Sequence, residues 1–163
     1  MKTRVLLLFL MLTSASCTTR YYLVRHAERL DGSSDSPLSE AGHARARALR
    51  DTLLDKDIHR IFASIYVRTQ QTARPLADTL NVPITIYHPD TTAGLLEHLQ
   101  RISGESVLVV GHSDNVPQLV YGLCGETVSI APDDYDNLFV ITVRKTTRTK
   151  RTLQRLTYGF PSP

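Results

Sequence analysis

The sequence has few cysteines and lacks the spacings that are typical of metal sites. Only Cys17 and Cys124 occur in 163 residues, which excludes a small scaffold held together by several disulfides. No C-x-x-C or H-x-x-x-H pair is present to bring metal ligands together. A glycine-rich phosphate loop is also missing. The sequence therefore predicts neither a metal nor a nucleotide cofactor.

A hydrophobic run long enough to span a membrane is absent as well. The apolar run at residues 5–12 is much shorter than the roughly 20 residues of a spanning helix. It follows Lys2 and Arg4 and precedes small residues, which is the layout of a secretory signal peptide. We therefore expect residues 1–16 to be a signal peptide, residues 17–163 to form a single domain, and the protein to be exported to the periplasm.

Cys17 directly follows this leader. Cleavage after Ser16 would leave Cys17 as the first residue, which resembles the lipobox of bacterial lipoproteins, although Ser14 stands where that pattern prefers leucine. We expect a lipidated Cys17 to hold the protein on a membrane. Ordinary cleavage with an unmodified cysteine is the alternative, and the mass of the mature N-terminus distinguishes the two.

Charge of one sign is not in clear excess once the leader is set aside. The whole chain has a formal net charge of +3, but residues 17–163 contain 17 basic and 16 acidic side chains. Such a small excess gives no electrostatic reason to expect a nucleic-acid partner.

Strand-like and helix-like segments alternate along most of the chain. Short apolar runs predict strands at residues 21–24, 60–63, 84–87 and 106–110. Amphipathic segments between and after them predict helices at residues 39–54, 66–80, 92–101 and 116–123. Two further strands, at residues 137–143 and 151–158, predict a C-terminal antiparallel hairpin. This order predicts an α/β fold, a three-layer α/β/α sandwich with a mainly parallel sheet.

Residues able to bind a phosphoryl group stand where the predicted strands end. Arg25 and His26 follow the first strand, Ser64 and Arg68 follow the second, and His112 follows the fourth. Ligands of parallel sheets bind beyond the carboxyl ends of the strands, so these side chains are expected to meet. Two guanidinium groups can hold a phosphoryl group while one imidazole attacks phosphorus and another binds its oxygens. Ser64 is expected either to bind near the phosphate or to cap the following helix.

Three motifs carry a resemblance to a known family. R-H-A-E at residues 25–28, S-x-x-x-R-T-x-x-T-A at residues 64–73 and V-V-G-H-S at residues 109–113 resemble the histidine phosphatase superfamily, whose fold is phosphoglycerate mutase-like. The resemblance implies a metal-independent enzyme in which His26 is the nucleophile and forms a phosphohistidine. It implies that the other members of the phosphate pocket are Arg25, Arg68 and His112.

The family also uses a carboxyl group that protonates the leaving oxygen, and its position is left open by the sequence. Asp90, which follows the third strand, is the preferred candidate for this general acid. Glu97 and Asp114 are the alternatives, and Asp114 is equally suited to capping a helix. A fourth possibility is that no dedicated acid exists, which would favour substrates with good leaving groups, such as phosphohistidine.

These expectations favour a phosphatase that acts on phosphomonoesters or phosphohistidine, with a small phosphorylated molecule or a phosphoprotein as its partner. Phosphoryl transfer as in phosphoglycerate mutase is the close alternative. A binding module that holds phosphorylated ligands without turnover is the alternative outside enzymes.

Overall fold

A computed structural model describes residues 17–162. Its one sheet has six strands, with bounds β1 Cys17–Arg25, β2 Ile58–Ser64, β3 Ile84–Tyr87, β4 Ser106–Gly111, β5 Asn137–Lys145 and β6 Thr149–Thr157. Four α-helices accompany them, α1 Glu40–Leu53, α2 Val67–Leu80, α3 Thr92–Arg101 and α4 Asn115–Cys124, with a short 3-10 helix at Pro89–Thr91. The predicted signal peptide lies outside the described residues. No helix within the described range is both long and apolar enough to cross a membrane.

The strands lie in the order β3-β2-β4-β1-β5-β6. Neighbouring strands are parallel within the group formed by β1, β2, β3 and β4. β5 is antiparallel to β1, and β6 is antiparallel to β5. The predicted mainly parallel sheet and the C-terminal hairpin are therefore confirmed.

The sheet is covered on both faces at β4, which explains why this strand is apolar throughout. Val107 and Val109 pack into a core with side chains of α3 and α4. Leu108 and Val110 point to the other face and pack into a core with side chains of α1 and α2. Successive residues of a strand face opposite sides, so a strand covered on both faces reads as a continuous apolar run. The three-layer α/β/α architecture is confirmed.

Three strands are longer than their apolar residues suggest. β1 begins at Cys17, which pairs with Lys145 at the end of β5, and β6 begins at Thr149. β1, β5 and β6 therefore extend beyond their predicted bounds. The residues added to β6 are polar because β6 is the edge of the sheet and is exposed along most of its length. Backbone pairing alone extends these strands, so hydrophobic patterning missed them.

The sequence of α1 predicts that its three arginines, Arg45, Arg47 and Arg50, form a solvated face, and for Arg45 this prediction is wrong. Arg45 is only 4% exposed, and its guanidinium group binds Glu28 at 2.7 Å. Its Nη1 also donates hydrogen bonds to the carbonyl oxygens of Tyr158 and Phe160. Arg45 thus ties the loop after β1 to the chain that follows β6.

Candidate active site

The ends of β1 and β4 place two histidines side by side. Arg25 is the register partner of Gly111, and the His26 backbone N–H donates to the Gly111 carbonyl oxygen at 2.9 Å. The rings of His26 and His112, the next residues along each strand, therefore lie edge to face with centroids 5.3 Å apart. Both side chains are buried. Neighbouring parallel strands in register bring them together across a sequence separation of 86 residues.

A buried amide fixes the turn after β4. Asn115 accepts a hydrogen bond from the His112 backbone N–H at 2.8 Å, and its amide nitrogen donates to the Tyr87 hydroxyl at 3.2 Å. A Cβ at Gly111 would lie 2.5 Å from the Asn115 Oδ1 atom. Only glycine therefore allows this approach. Asn115 was not among the residues that the sequence identified.

His26 is held in the form that a nucleophile requires. Its Nδ1 lies 2.8 Å from the Ala27 carbonyl oxygen, which can only accept a hydrogen bond. The proton of the neutral ring therefore resides on Nδ1, and Nε2 keeps its lone pair. Burial, together with the charges of His112 and two arginines, lowers the pKa of His26 to about 3 despite the opposing effect of the Ala27 hydrogen bond. The imidazole is neutral at physiological pH.

His112 is oriented by a chain of hydroxyl groups. Its Nε2 lies 2.8 Å from the Ser64 hydroxyl, which in turn lies 2.9 Å from the Thr69 hydroxyl. The Thr69 hydroxyl donates its single proton to a backbone carbonyl, so it accepts from Ser64, and Ser64 accepts from the His112 ring. Burial and the positive charge of Arg68 lower the pKa of His112 to about 4.

The hydrogen bonds of the Ser64 hydroxyl suggest a role other than direct phosphate binding. Ser64 is completely buried at the end of β2, and its hydroxyl contacts His112 and Thr69. We assign it to holding the His112 ring. Ser64 does not cap α2, because Tyr66 occupies the cap position. Contact of Ser64 with phosphate stays a prediction.

Arg68 reaches the site from the first turn of α2. Its guanidinium carbon lies 4.3 Å from the centre of the Tyr66 ring, and that ring lies 5.3 Å from His112. Its Nη1 donates to the Ser34 carbonyl oxygen. The Asp35 carboxylate accepts from the Val67 N–H, so the N-terminus of α2 binds an anion from the protein itself.

Arg25 is fixed by the loop that precedes β5. Its Nη1 donates to the carbonyl oxygens of Ala131, Pro132 and Asp134 at 2.7–3.1 Å. The Tyr135 ring lies 4.1 Å from the guanidinium carbon. The Nε atoms of both Arg25 and Arg68 are buried, and neither has a hydrogen-bond partner within residues 17–162.

Among the described residues, the three candidate general acids form their hydrogen bonds and ion pairs with residues outside this cluster. Asp90 is exposed and contacts its neighbour His88, and Glu97 is exposed and pairs with Arg101. Asp114 caps α4 by accepting from the Asn115 N–H, as its alternative interpretation predicted. Of the three, Asp114 is the one whose charge raises the pKa of His112.

Carboxylates are absent from the immediate contacts of the cluster. Within the described part of the chain, no ion pair involves any of the four phosphate-pocket residues, which are Arg25, His26, Arg68 and His112. Across the same residues, no group of three His, Cys, Asp or Glu side chains is placed to hold a metal ion.

Acid is expected to destabilise the fold through the two buried histidines. The pKa values of both histidines are lowered from about 6.5 by folding. As the pH falls from about 6.5 toward 4, these histidines therefore take up protons in the unfolded chain but stay neutral in the folded chain. Each histidine should lower the free energy of unfolding by roughly 2 kcal/mol between pH 7 and pH 5. Urea titrations at both pH values measure this loss. The His26→Gln variant should lose about 2 kcal/mol less than the unsubstituted protein, and an equal loss would contradict the assignment.

Comparison with known proteins identifies the same family as the motifs. The family model of the histidine phosphatase superfamily (branch 1) matches residues 21–89. The phosphohistidine phosphatase SixA of Escherichia coli (strain K12) is 35% identical over 121 residues, which cover 65% of this chain and 75% of SixA. The probable phosphoglycerate mutase GpmB of Enterobacter sp. (strain 638) is 42% identical over 72 residues, and the match covers 40% of this chain but only 34% of GpmB.

Solved structures show the same fold. The structure of the protein histidine phosphatase SixA complexed with tungstate matches with a TM-score of 0.60 and 25% identity, covering 85% of this chain and 96% of that one. A putative alpha-ribazole-5'-P phosphatase from Escherichia coli str. K-12 substr. MG1655 matches with a TM-score of 0.69, 17% identity and coverage of 85% and 96%. From its motifs, its fold and its identity to SixA, the chain belongs to the histidine phosphatase superfamily, a family of phosphatases with a phosphoglycerate mutase-like fold.

Proposed function

We propose that the protein hydrolyses phosphohistidine, without a metal ion, through a covalent phosphohistidine on His26. The observation that carries this proposal is the state of His26, a buried and neutral imidazole whose Nδ1 proton is held by Ala27. Its Nε2 lone pair is therefore available to attack phosphorus.

The charges around His26 suit a phosphoryl group. The buried Nε–H groups of Arg25 and Arg68 have no partner within the described residues, and leaving such groups unsatisfied costs about 1–3 kcal/mol each. Phosphoryl oxygens would supply the missing acceptors. A bound phosphoryl dianion would also raise the pKa of His112, so that its ring can carry a second proton and donate to the transition state.

The reaction then has two displacements. In the first, His26 Nε2 forms a bond to phosphorus while the P–N bond of the substrate breaks, and the substrate histidine, whose other ring nitrogen carries a proton, leaves as a neutral imidazole. In the second, water attacks the phosphohistidine, inorganic phosphate leaves and His26 is restored. The guanidinium groups and His112 hold the equatorial oxygens through both steps.

The leaving group distinguishes phosphohistidine from ordinary phosphomonoesters. An alkoxide must be protonated as it leaves, which is the task of a general acid, and none of the three candidate carboxyl groups contacts the cluster. An imidazole leaves readily without such help. The 35% identity to a protein named as a phosphohistidine phosphatase supports this choice.

The choice of substrate can be tested by comparing kcat/KM for a histidine-phosphorylated peptide and for glycerol phosphate. Because general acid catalysis is worth about 10²–10⁴-fold, the peptide should be preferred by at least about 100-fold. The rate should be the same in excess chelator. Comparable rates for the two substrates would show that an acid assists the leaving group. Stoichiometric binding of the peptide without phosphate release would instead identify a binding module.

A further inference from the structure

A groove of about 920 Å³ opens beside the phosphate site. It lies between the first turns of α1, the loop that precedes β5 and the chain after β6. Its apolar lining consists of Ala41, Ala44, Pro132, Tyr135, Phe160 and Pro161. Most of these residues are exposed, so the groove is accessible from the protein surface.

Tyr135 connects this groove with the phosphate site. Its ring lines the groove, packs against Arg25 at 4.1 Å and lies 6.0 Å from the His26 ring between centroids. When a substrate has its phosphoryl group at His26, the groove therefore lies on the far side of the Tyr135 ring. Tyr135 is thus a wall shared by the groove and the phosphate site, so the groove is adjacent to the part of a substrate that carries the phosphoryl group.

The charges of the groove disfavour an anionic small molecule. Arg45 is the cation in its lining, and Glu28 already neutralises it at 2.7 Å. Asp133, also in the lining, is exposed and makes no ion pair within the described residues. A sugar phosphate or a phosphorylated acid would carry further negative charge or many hydroxyl groups into an apolar groove with one free carboxylate. A polypeptide with apolar side chains would bring neither negative charge nor many hydroxyl groups into the groove.

Phe160 is the largest apolar side chain on this wall, and it is 73% exposed. Its position is fixed because its carbonyl oxygen accepts a hydrogen bond from Arg45 at 2.8 Å. Exposed aromatic side chains on a fixed backbone are common anchors of protein recognition, since they bury a large area at little entropic cost.

We propose that this groove binds an apolar side chain next to the phosphohistidine of a protein substrate. Phe160 and Tyr135 contact that side chain, and Asp133 favours a neutral or basic neighbour over an acidic one. The inference rests on the proposed hydrolysis of phosphohistidine, and it adds the part of the substrate that the enzyme recognises beyond the phosphoryl group.

Two peptides that differ only beside their phosphohistidine test this proposal. One carries leucine on both sides of that residue and the other carries serine. The unsubstituted protein should have a kcat/KM about tenfold higher for the leucine peptide, in line with burial of one or two apolar groups. The Phe160→Ala variant should reduce this preference to about twofold. The matched control is Tyr121→Ala, which removes a similarly exposed aromatic ring from α4, on the other face of the sheet, and should keep the tenfold preference.

A second variant and a second substrate guard the interpretation. Ala44→Gln narrows the groove from α1 and should also reduce the preference, which covers the case that Phe160→Ala does not fold. Naphthyl phosphate tests whether a small apolar alcohol is the true occupant. A loss confined to naphthyl phosphate in the Phe160→Ala variant would overturn the proposal, as would equal rates of the unsubstituted protein on the two peptides. If the unsubstituted protein released phosphate from neither peptide, the proposed function itself would fail, and this inference with it.

Discussion

Replacing His26 with alanine is expected to lower the rate of phosphate release by about 10⁴-fold or more. The nucleophile and its neighbours act as one unit, so removal of the attacking atom leaves only the binding of the phosphoryl group to Arg25 and Arg68. Because the smaller alanine side chain leaves Arg25 and Arg68 free to bind the phosphoryl group, the expected loss is in kcat rather than in KM. Initial rates on a histidine-phosphorylated peptide measure it.

The matched control for this variant is His43→Ala, because His43 is an exposed histidine on α1. It should retain the rate of the unsubstituted protein. Rapid quenching of the unsubstituted protein during turnover should also trap acid-labile phosphate on His26, and the His26→Ala variant should trap none. A variant that retained a tenth or more of the rate would falsify the nucleophile assignment.

The meeting of His26 and His112 was predictable because each motif stands at a change of pattern. Tyr21 to Val24 and the run before Gly111 read as buried strands, and a charged or imidazole side chain follows each immediately. The rule that parallel strands end at one edge then places His26 and His112 in the same region. Sequence could not supply the strand order, in which β1 and β4 are neighbours, and this order sets the ring separation of 5.3 Å.

The supporting residues were not predictable, because their partners are distant in sequence and their own surroundings have no periodic pattern. Tyr135 lies in the irregular segment between α4 and β5, and it becomes part of the site only through Arg25, 110 residues earlier. Asp35 lies in the equally irregular loop before α1, yet it binds the N-terminus of α2. Helix capping by Asp114, in contrast, depends on immediate neighbours and was one of the two interpretations that the sequence offered.

Arg45 shows the same limit inside a regular helix. Three arginines of similar spacing, Arg45, Arg47 and Arg50, read alike in the sequence of α1, but only Arg45 is buried. Burial by itself would lower the pKa of Arg45, and the hydrogen bond and charge of Glu28 outweigh that effect and raise it. The pair therefore holds a full charge on Arg45 beneath the loop that carries His26.

Replacing Arg45 with methionine is expected to lower the free energy of unfolding by about 3–5 kcal/mol. The change leaves Glu28 partly buried without its partner, and the Glu28 Oε2 atom already lacks a hydrogen bond within the described residues. It also removes the donors to the Tyr158 and Phe160 carbonyl oxygens, so the chain after β6 loses its link to α1. Urea unfolding at pH 7 measures the loss.

The control is Arg47→Met, which places the same apolar side chain on the exposed face of the same helix and should change stability by no more than about 0.5 kcal/mol. The double variant Glu28→Met with Arg45→Met tests the cause. A buried ion pair costs most when one partner is left alone, so removal of both charges should be less destabilising than the sum of the two single changes. Additive losses would mean that Arg45 acts through its packing and its carbonyl contacts rather than through Glu28. In that case the loop carrying His26 would be held by backbone contacts.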